Sequence, residues 1–312
     1  LMQIPVITTM MGISVFPDDD QLFCGMIGTH GVKMANAAVN ECDVLFLVGA
    51  RVGDRAVKTP LALEKTTKII HIDIDPAEIG KNIGADLPLV GDAKLVLQQM
   101  TELAKPMKHD EWIAHIKTLG GERKYVEPAK GTVNPRVFID RLAKKMPANV
   151  TVVADVGQNQ IWTCTEYKFR KEGRLLTSGG MGTMGYSVPA AIGAKMADNS
   201  RATVAICGDG AFQMSFMELA TAVQFGVDIK VVVMTNNRLG MVRELQTNGY
   251  HDRQTAVFLD GSPALIKLAE AYGIPAMRVY DDDTMDKGIE MLAEHKGICL
   301  VEVVVDKDMP TL

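Results

Sequence analysis

Two kinds of hydrophobic pattern alternate along the chain. Short, largely apolar runs at residues 5–9, 44–48, 68–74, 150–154, 203–207, 229–234 and 299–305 are mostly rich in Val, Ile and Leu, and Gly, Asp, Asn, Thr or Ala stands at or near their ends. Runs of this length, apolar at successive positions rather than alternate ones, predict strands buried on both faces, as parallel sheets require. Between them, apolar residues three and four apart predict helices at 32–41, 92–105, 112–119, 136–145, 213–225 and 267–272. In the second of these, Leu95, Val96, Met100 and Leu103 fall on one face. Strand and helix alternating in this way is the pattern of an α/β protein with doubly wound, Rossmann-like parallel sheets.

The pattern divides the chain. Residues 1–105 read as a first α/β domain, residues 106–134 as a linker rich in Lys, Glu, His, Pro and Gly, and residues 135–312 as a second α/β domain. A chain of 312 residues fits two cores better than one, and no internal repeat is present.

Composition narrows the classes. With 47% hydrophobic and 23% charged residues the chain reads as a soluble globular protein, and no apolar run approaches the roughly 20 residues of a membrane span. A formal net charge of −5 without a basic run argues against a nucleic-acid partner. The five widely spaced cysteines read as reduced core residues of a cytoplasmic protein. Leu1 leads almost directly into an apolar strand without signal-peptide character, so the chain is expected to begin in mid-fold.

The candidate chemistry centres on residues 203–237. Two apolar strands joined by a single crossover helix lie parallel, with their C-terminal ends on one edge. Asp209 and Asn236 then finish neighbouring strands, and Gly208 and Gly210 let a bulky group approach the backbone. A carboxylate and an amide oxygen suit a hard cation such as Mg²⁺, which takes few protein carboxylates and fills its shell with phosphate and water. The alternative is that both strings are only turns. On the same edge, ADVGQNQ places Val156, Gly157, Gln158 and Asn159 after strand 150–154, and Gly179, Gly180 and Gly182 permit close approach in the next turn. In the first domain GMIGTHG, residues 25–31, sets amide donors ahead of a helix N-terminus, which favours an anion. Its spacing is not that of the dinucleotide fingerprint, so a nucleotide site and simple turn chemistry both remain open. Asp73 can accept from ribose hydroxyls or merely end its strand.

The turn at 208–210 followed by the asparagine pair 236–237 resembles the thiamine-diphosphate signature of the decarboxylase and carboligase superfamily. LLTSGGMGTMGYSVPAAIGAKMA at 175–197, ADVGQNQIW at 154–162 and NNRLGMVRELQ at 236–246 are similar to the acetolactate synthase large, catalytic subunit, and the likeness extends over nearly the whole chain. It implies a transferase that condenses pyruvate with a second 2-keto acid, losing CO₂, to give 2-acetolactate or 2-aceto-2-hydroxybutyrate. That is the first step of branched-chain amino-acid biosynthesis.

The resemblance carries Asp209, Asn236 and the backbone carbonyl of Arg238 over as Mg²⁺ ligands, Asn236 being chosen over Asn237 by its distance from Gly240 and Met241. Val156, Gly157, Gln158, Asn159, Gly182, Met184, Gly208, Gly210, Ala211 and Met241 join Asp209 and Asn236 as thiamine-diphosphate contacts, with Met184 propping the coenzyme into its bent form. Ile27, Thr29, His30, Gly49, Ala50, Arg51, Arg55, Asp73 and Asp92 carry over as contacts to a structural FAD. The string GARVGDR departs from the family's GARFDDR at Val52 and Gly53. Asn159 stands where relatives carry histidine. Leu245, four residues after Met241, stands where many carry tryptophan, which implies weaker preference for 2-ketobutyrate over pyruvate as acceptor. The same resemblance places an N-terminal pyrimidine-binding domain, with the glutamate that protonates a ring nitrogen, outside this chain. It further implies little carboligase activity for the chain alone, a homodimer or tetramer, and a place for a regulatory small subunit. Two other readings stay open: another thiamine-diphosphate enzyme of the glyoxylate carboligase, sulfoacetaldehyde acetyltransferase or oxalyl-CoA decarboxylase type, and a non-catalytic nucleotide-binding module.

Overall fold

The largely apolar runs become strands that pair in parallel. The computed structural model describes residues 1–121 and 125–312, and residues 122–124 of the expected linker lie outside it. The chain divides into two units, Leu1–Gly12 with Asp20–Arg123, and Ile13–Asp19 with Lys124–Leu312.

In the first unit β1 (Val6–Thr8) pairs with β2 (Phe23–Met26), and α1 (Lys33–Glu41) follows. A three-stranded parallel sheet is then built from β3 (Val44–Val48), β4 (Lys68–Asp73) and β5 (Leu87–Val90), with α2 (Pro60–Leu63) between the first two of these strands. β2 and β5 are short and carry a glycine and a proline, which hid them from the hydrophobic pattern. Helix α3 (Ala93–Leu103) is capped by Asp92, whose side chain accepts from the Leu95 amide at 3.0 Å. Its apolar face is only partly covered: Val96 and Met100 are half-buried, whereas Leu95 and Leu103 are 58% and 84% exposed. Helix α4 (Asp110–Leu119) arises inside the expected linker and packs on α1, with His115 Nε2 2.6 Å from a Glu41 carboxylate oxygen. The first half of that stretch is therefore an element of the first unit and not a free connection.

The second unit opens with α5 (Pro135–Lys145), capped by Asn134, whose side chain accepts from the amides of Arg136 and Val137. In chain order there follow β6 (Thr151–Ala154), α6 (Gln158–Glu166), β7 (Arg174–Thr177), α7 (Ser187–Ala197) and β8 (Thr203–Gly208). Next come α8 (Asp209–Gln213), α9 (Leu219–Gln224), β9 (Lys230–Thr235) and α10 (Gly240–Gly249). The chain closes with α11 (Leu265–Ala271), β10 (Ala276–Val279), α12 (Asp282–Glu294) and β11 (Cys299–Val304). All six strands are parallel, in the order β10-β11-β9-β8-β6-β7. From β6 the chain moves to β7 on one side and then returns to β8 on the other, so the strand order reverses between β6 and β8. Ligands of open α/β sheets bind at the carboxyl ends of the strands at such a reversal.

One expected element changes form. The helix anticipated at 213–225 is broken into α8, a 3₁₀ turn at Phe216–Glu218 and α9, with Ser215 outside helical geometry between the first two. Gly208 is the extended N-cap of α8, so Asp209 and Gly210 are helical residues, not a free turn. Among the described residues no helix is long and apolar enough to cross a membrane. All five cysteines are free thiols; Cys24, Cys164, Cys207 and Cys299 are buried and Cys42 is partly so. Burial pushes the Cys164 thiol up to about 12, which leaves it chemically inert at neutral pH.

Candidate functional site

Strands β6, β8 and β9 are almost wholly buried, and each ends on the same edge beside the strand reversal. β8 and β9 pair with Gly208 opposite Met234, which brings Asp209 alongside the residues that follow β9. There the Asp209 carboxylate accepts from the backbone amides of Asn236 (3.2 Å) and Asn237 (2.6 Å) through Oδ2, and from Gly210 (2.9 Å) through Oδ1. Asn237 adopts the left-handed conformation, φ +54°, which asparagine tolerates and which turns both amides toward the acid. Asp209 is 2% exposed. Burial pushes its carboxyl up to about 6, although the amides of Asn237, Gly210 and Asn236 pull the other way. The site is thus a dehydrated acid held by three neutral backbone amides, a setting that favours a bound cation.

Asn236 stands beside it. Its Oδ1 accepts from the Arg238 amide at 3.1 Å, and its Nδ2 faces Gln158 Oε1 at 3.4 Å. Gly240, the first residue of α10, is needed for this approach, because a Cβ there would lie 1.9 Å from Gln158 Oε1 and 3.0 Å from Asn236 Nδ2. The α10 N-terminus and its unpaired amides therefore come up to the same pair.

Two side chains of the β6 turn are placed differently from the simplest expectation. Gln158 directs its amide nitrogen to the Glu244 carboxylate (3.1 Å), the Met309 carbonyl (2.9 Å) and Thr311 (3.1 Å). Asn159, 3% exposed, donates to the carbonyls of Asp155 (2.8 Å) and Ile206 (3.2 Å), tying the ends of β6 and β8 together. Neither side-chain amide is free to donate to a diphosphate in this arrangement. Val156 and Gly157 lie on the edge with their backbone, Gly182 sits in open space in the following turn, and Ala211 is buried beneath the acid. Met184 packs against the core of the unit, its methyl 3.4 Å from where a Cβ of Gly210 would stand. Met241 is half-buried on α10, and Leu245 is 58% exposed on the same helix.

The first unit gathers its own set. Gly49 follows β3 and donates to Ile72 O at 2.8 Å, Asp73 ends β4, and Asp92 follows β5, with the Gly91 amide 2.9 Å from Asp73 O. Thr29 donates to Arg55 O at 2.9 Å, which ties the glycine turn holding Ile27 and His30 to the turn after β3 that holds Ala50, Arg51 and Arg55. Thr29, Gly49, Arg51, Arg55 and Asp92 are exposed there, and Asp73 is 8% exposed. Asn36, which the sequence patterns did not single out, holds the turn: its Oδ1 accepts from Gly28 N at 2.9 Å and its Nδ2 donates to Gly28 O at 3.0 Å. A Cβ on Gly28 would lie 2.5 Å from Arg55 O, so this glycine, at φ +120°, is already demanded by packing. Val52 is buried at φ +48°, an uncommon conformation for a β-branched residue.

Comparison with known proteins matches residues 155–303 to the thiamine pyrophosphate enzyme, C-terminal TPP binding domain, and residues 1–100 to the thiamine pyrophosphate enzyme, central domain. Among curated proteins, the chain is 39% identical over 315 residues to the probable acetolactate synthase large subunit of Methanocaldococcus jannaschii, covering 97% of this chain and 53% of that protein. It is 36% identical over 307 residues to the acetolactate synthase large subunit of Lactococcus lactis, covering 98% and 53%. The acetolactate synthase isozyme 3 large subunit of Escherichia coli is 34% identical over 317 residues, with coverage of 98% and 55%. The chain spans about half the length of these relatives.

Proposed function

The chain belongs to the thiamine-pyrophosphate enzymes, carrying their central and C-terminal cofactor-binding domains, and from that premise we propose that it is part of an acetolactate synthase. In this reading the complete enzyme condenses pyruvate with a second 2-keto acid and releases CO₂. The observation that carries it is the meeting of Asp209 with Asn236 and Asn237 at the tips of β8 and β9, beside the strand reversal.

The residues present fit the group. Asp209 is buried with backbone amides as its hydrogen-bond partners, and its raised proton affinity is what a divalent ion would offset. Asp209, Asn236 and the Arg238 carbonyl would hold Mg²⁺, and Mg²⁺ with the α10 N-terminus would hold the diphosphate. With the Gln158 and Asn159 side-chain amides engaged elsewhere and the Val156 amide donating to Asp155, the β6 turn would contribute the backbone amide of Gly157. When bound, thiamine diphosphate supplies the electron sink that lets a 2-keto acid lose its carboxylate. Met184 would press on the coenzyme and fix its pose, and a preset pose can remove on the order of 7–11 kcal/mol of barrier at the upper range.

A structural FAD on the first unit is the second component of the proposal. Its support is the convergence of Gly49, Arg51, Asp73 and Asp92 on one sheet edge beside the glycine turn. Leu245 would face the acceptor acid. A homodimer or tetramer, a regulatory small subunit and a cytoplasmic location complete the reading.

Calorimetry of the chain with thiamine diphosphate and Mg²⁺ tests it. Binding that requires Mg²⁺ and is lost in Asp209→Ala is the expected result, and equal binding by the variant overturns the metal assignment. Substrate profiling of the complete protein separates acetolactate synthesis from the glyoxylate, sulfoacetaldehyde and oxalyl-CoA chemistries. Absence of any coenzyme binding by the complete protein points to a non-catalytic module.

A further inference from the structure

Asp155 ends β6 as a carboxylate with 0% exposure, and no role in coenzyme binding or the reaction has been assigned to it so far. Its Oδ1 accepts from the amides of Val156 (2.9 Å) and Gly185 (3.0 Å), and its Oδ2 from the amide of Ser187 (2.7 Å). Hydrogen bonds to an ionised acceptor are about twice as strong as neutral ones, and a buried carboxylate is tolerated where several amides converge on it.

Those amides come from two separate turns. Val156 begins the turn after β6, whereas Gly185 and Ser187 flank Tyr186 at the start of α7, directly after Met184. Gly185 itself is at φ +84° with Met214 Cβ 3.0 Å from its missing side chain, so the backbone there has little room to drift. The rest of the turn hangs more loosely. Gly182 and Thr183 are tied only to Ser178, through bonds of 2.7 Å to its carbonyl and 3.1 Å to its hydroxyl, and Gly180 and Gly182 have no heavy atom within 4 Å of a virtual Cβ. Asp155 is thus the buried anchor at the α7 end of the segment that delivers Met184 to Gly210.

We propose that Asp155 is a positioning residue for the coenzyme, fixing the Met184 segment relative to the β6 turn through its three amide bonds, and so setting how much better the whole thiamine diphosphate binds than its pyrophosphate tail. The proposal rests on the thiamine-diphosphate reading above. Pyrophosphate would reach the metal and the strand tips but not Met184, so a variant's change in the ratio of the two affinities reports contacts beyond the tail, Met184 among them, and leaves out the metal and the strand tips.

The test uses the full chain with Mg²⁺, titrated with thiamine diphosphate and, separately, with inorganic pyrophosphate. In Asp155→Asn the amide oxygen can keep Val156 and Gly185, but an NH₂ then faces the Ser187 amide, donor against donor. Thiamine-diphosphate affinity is expected to fall about tenfold or more, the worth of one charge-assisted bond, while pyrophosphate affinity stays within about threefold. Met184→Ala should show the same selective loss, and the double variant should lose little beyond either single one, because both act through one segment. Asp155→Ser, whose hydroxyl keeps one acceptor in place, replaces Asp155→Asn if circular dichroism shows that variant unfolded. Equal losses for the two ligands, or additive losses with Met184→Ala, overturn the proposal. If the complete protein, titrated in the same way, binds neither ligand, the thiamine-diphosphate reading itself falls.

Discussion

The Asp209 carboxylate and the Asn237 backbone amide lie 2.6 Å apart, across the tips of two adjacent parallel strands. The contact holds a buried acid in place without neutralising it. Burial pushes that acid up to about 6, so binding a divalent cation below this pH must displace a proton. Affinity for Mg²⁺ with thiamine diphosphate should therefore be flat above about pH 7 and fall by up to about tenfold per pH unit below 6. Calorimetry across pH 5–8 measures it, and a profile without a break near 6 means Asp209 is not the ligand that titrates.

Removing the metal gives a second outcome. Ligand at about 100 times its dissociation constant adds roughly 2.7 kcal/mol to the stability of the state that binds it. Thermal unfolding of the chain should shift upward with Mg²⁺ and thiamine diphosphate, return to baseline with EDTA, and not shift at all in Asp209→Ala. A shift that survives EDTA would place the coenzyme somewhere that needs no metal.

Gly240→Ala probes the approach of α10 to Asn236. The new methyl would fall 1.9 Å from Gln158 Oε1, and Gln158 cannot swing away without breaking its bonds to Met309 and Thr311. Overpacking of this kind costs about 1–3 kcal/mol. The variant should melt lower and bind Mg²⁺ with thiamine diphosphate more weakly, and unchanged melting and binding would mean that α10 moves freely.

Much of this site was legible in the chain. A β-branched run ending in Gly-Asp-Gly and another ending in Asn-Asn define two strand tips, and parallel pairing across one crossover brings them together whatever the rest of the fold does. What could not be read was how side chains far apart in sequence share out their hydrogen bonds. Gln158 meets Glu244, Met309 and Thr311 across most of the second domain, and no local pattern marks that. Asp155 had a signal that could have been used, an acid placed directly after a fully apolar strand, where only backbone amides can satisfy it. Asn36 had a weaker one, being a polar residue in the first turn of a helix that follows a glycine turn. The helix expected at 213–225 failed at Ser215, a residue whose hydroxyl competes for backbone groups and that sits here outside helical geometry.

Asn159 is a case where the structure reverses the naive engineering choice. Putting back the histidine of relatives would look like restoring a phosphate donor, yet the Asn159 amide holds the ends of β6 and β8 together from a buried position. Asn159→His has a larger ring and cannot give both of those bonds from one nitrogen. It should destabilise the chain by about 1–3 kcal/mol in thermal or urea unfolding without tightening pyrophosphate binding. Tighter pyrophosphate binding would show that the ring reaches the site.

Asp18 gives a pH dependence unrelated to catalysis. Its Oδ2 accepts from the Phe169 amide at 3.0 Å, its Oδ1 is buried without a hydrogen-bond partner among the described residues, and burial pushes the carboxyl up to about 6. A folded pKa above the unfolded value means that the folded chain holds this proton more tightly. The contribution of Asp18 is therefore most favourable below about pH 4, declines as pH rises from about 4 to 6, and is then constant. Urea unfolding from pH 4 to 7 should show Asp18→Asn lacking that decline, and parallel curves for the two proteins would assign the proton elsewhere.

In the acetolactate synthase reading, Leu245 would bear on which acceptor the complete enzyme prefers. It lies 58% exposed on α10, next to Glu244, whose carboxylate is tied to the Thr311 amide, so the helix beneath it is anchored. A larger side chain there meets open space and should leave stability nearly unchanged. What it changes is the apolar area offered to an acceptor, and 2-ketobutyrate exceeds pyruvate by one methylene. A methylene in a hydrophobic pocket is worth about 1–3 kcal/mol, and a pocket open to solvent recovers only the lower part of that. Leu245→Trp in the complete enzyme, given equal concentrations of the two acids, should therefore raise the ratio of 2-aceto-2-hydroxybutyrate to 2-acetolactate by about tenfold. Because both products form from the same decarboxylated donor pyruvate, the product ratio isolates the acceptor step from any loss in overall rate. A ratio that does not move, with rate intact, removes Leu245 from the acceptor pocket and leaves the strand-tip site as it stands.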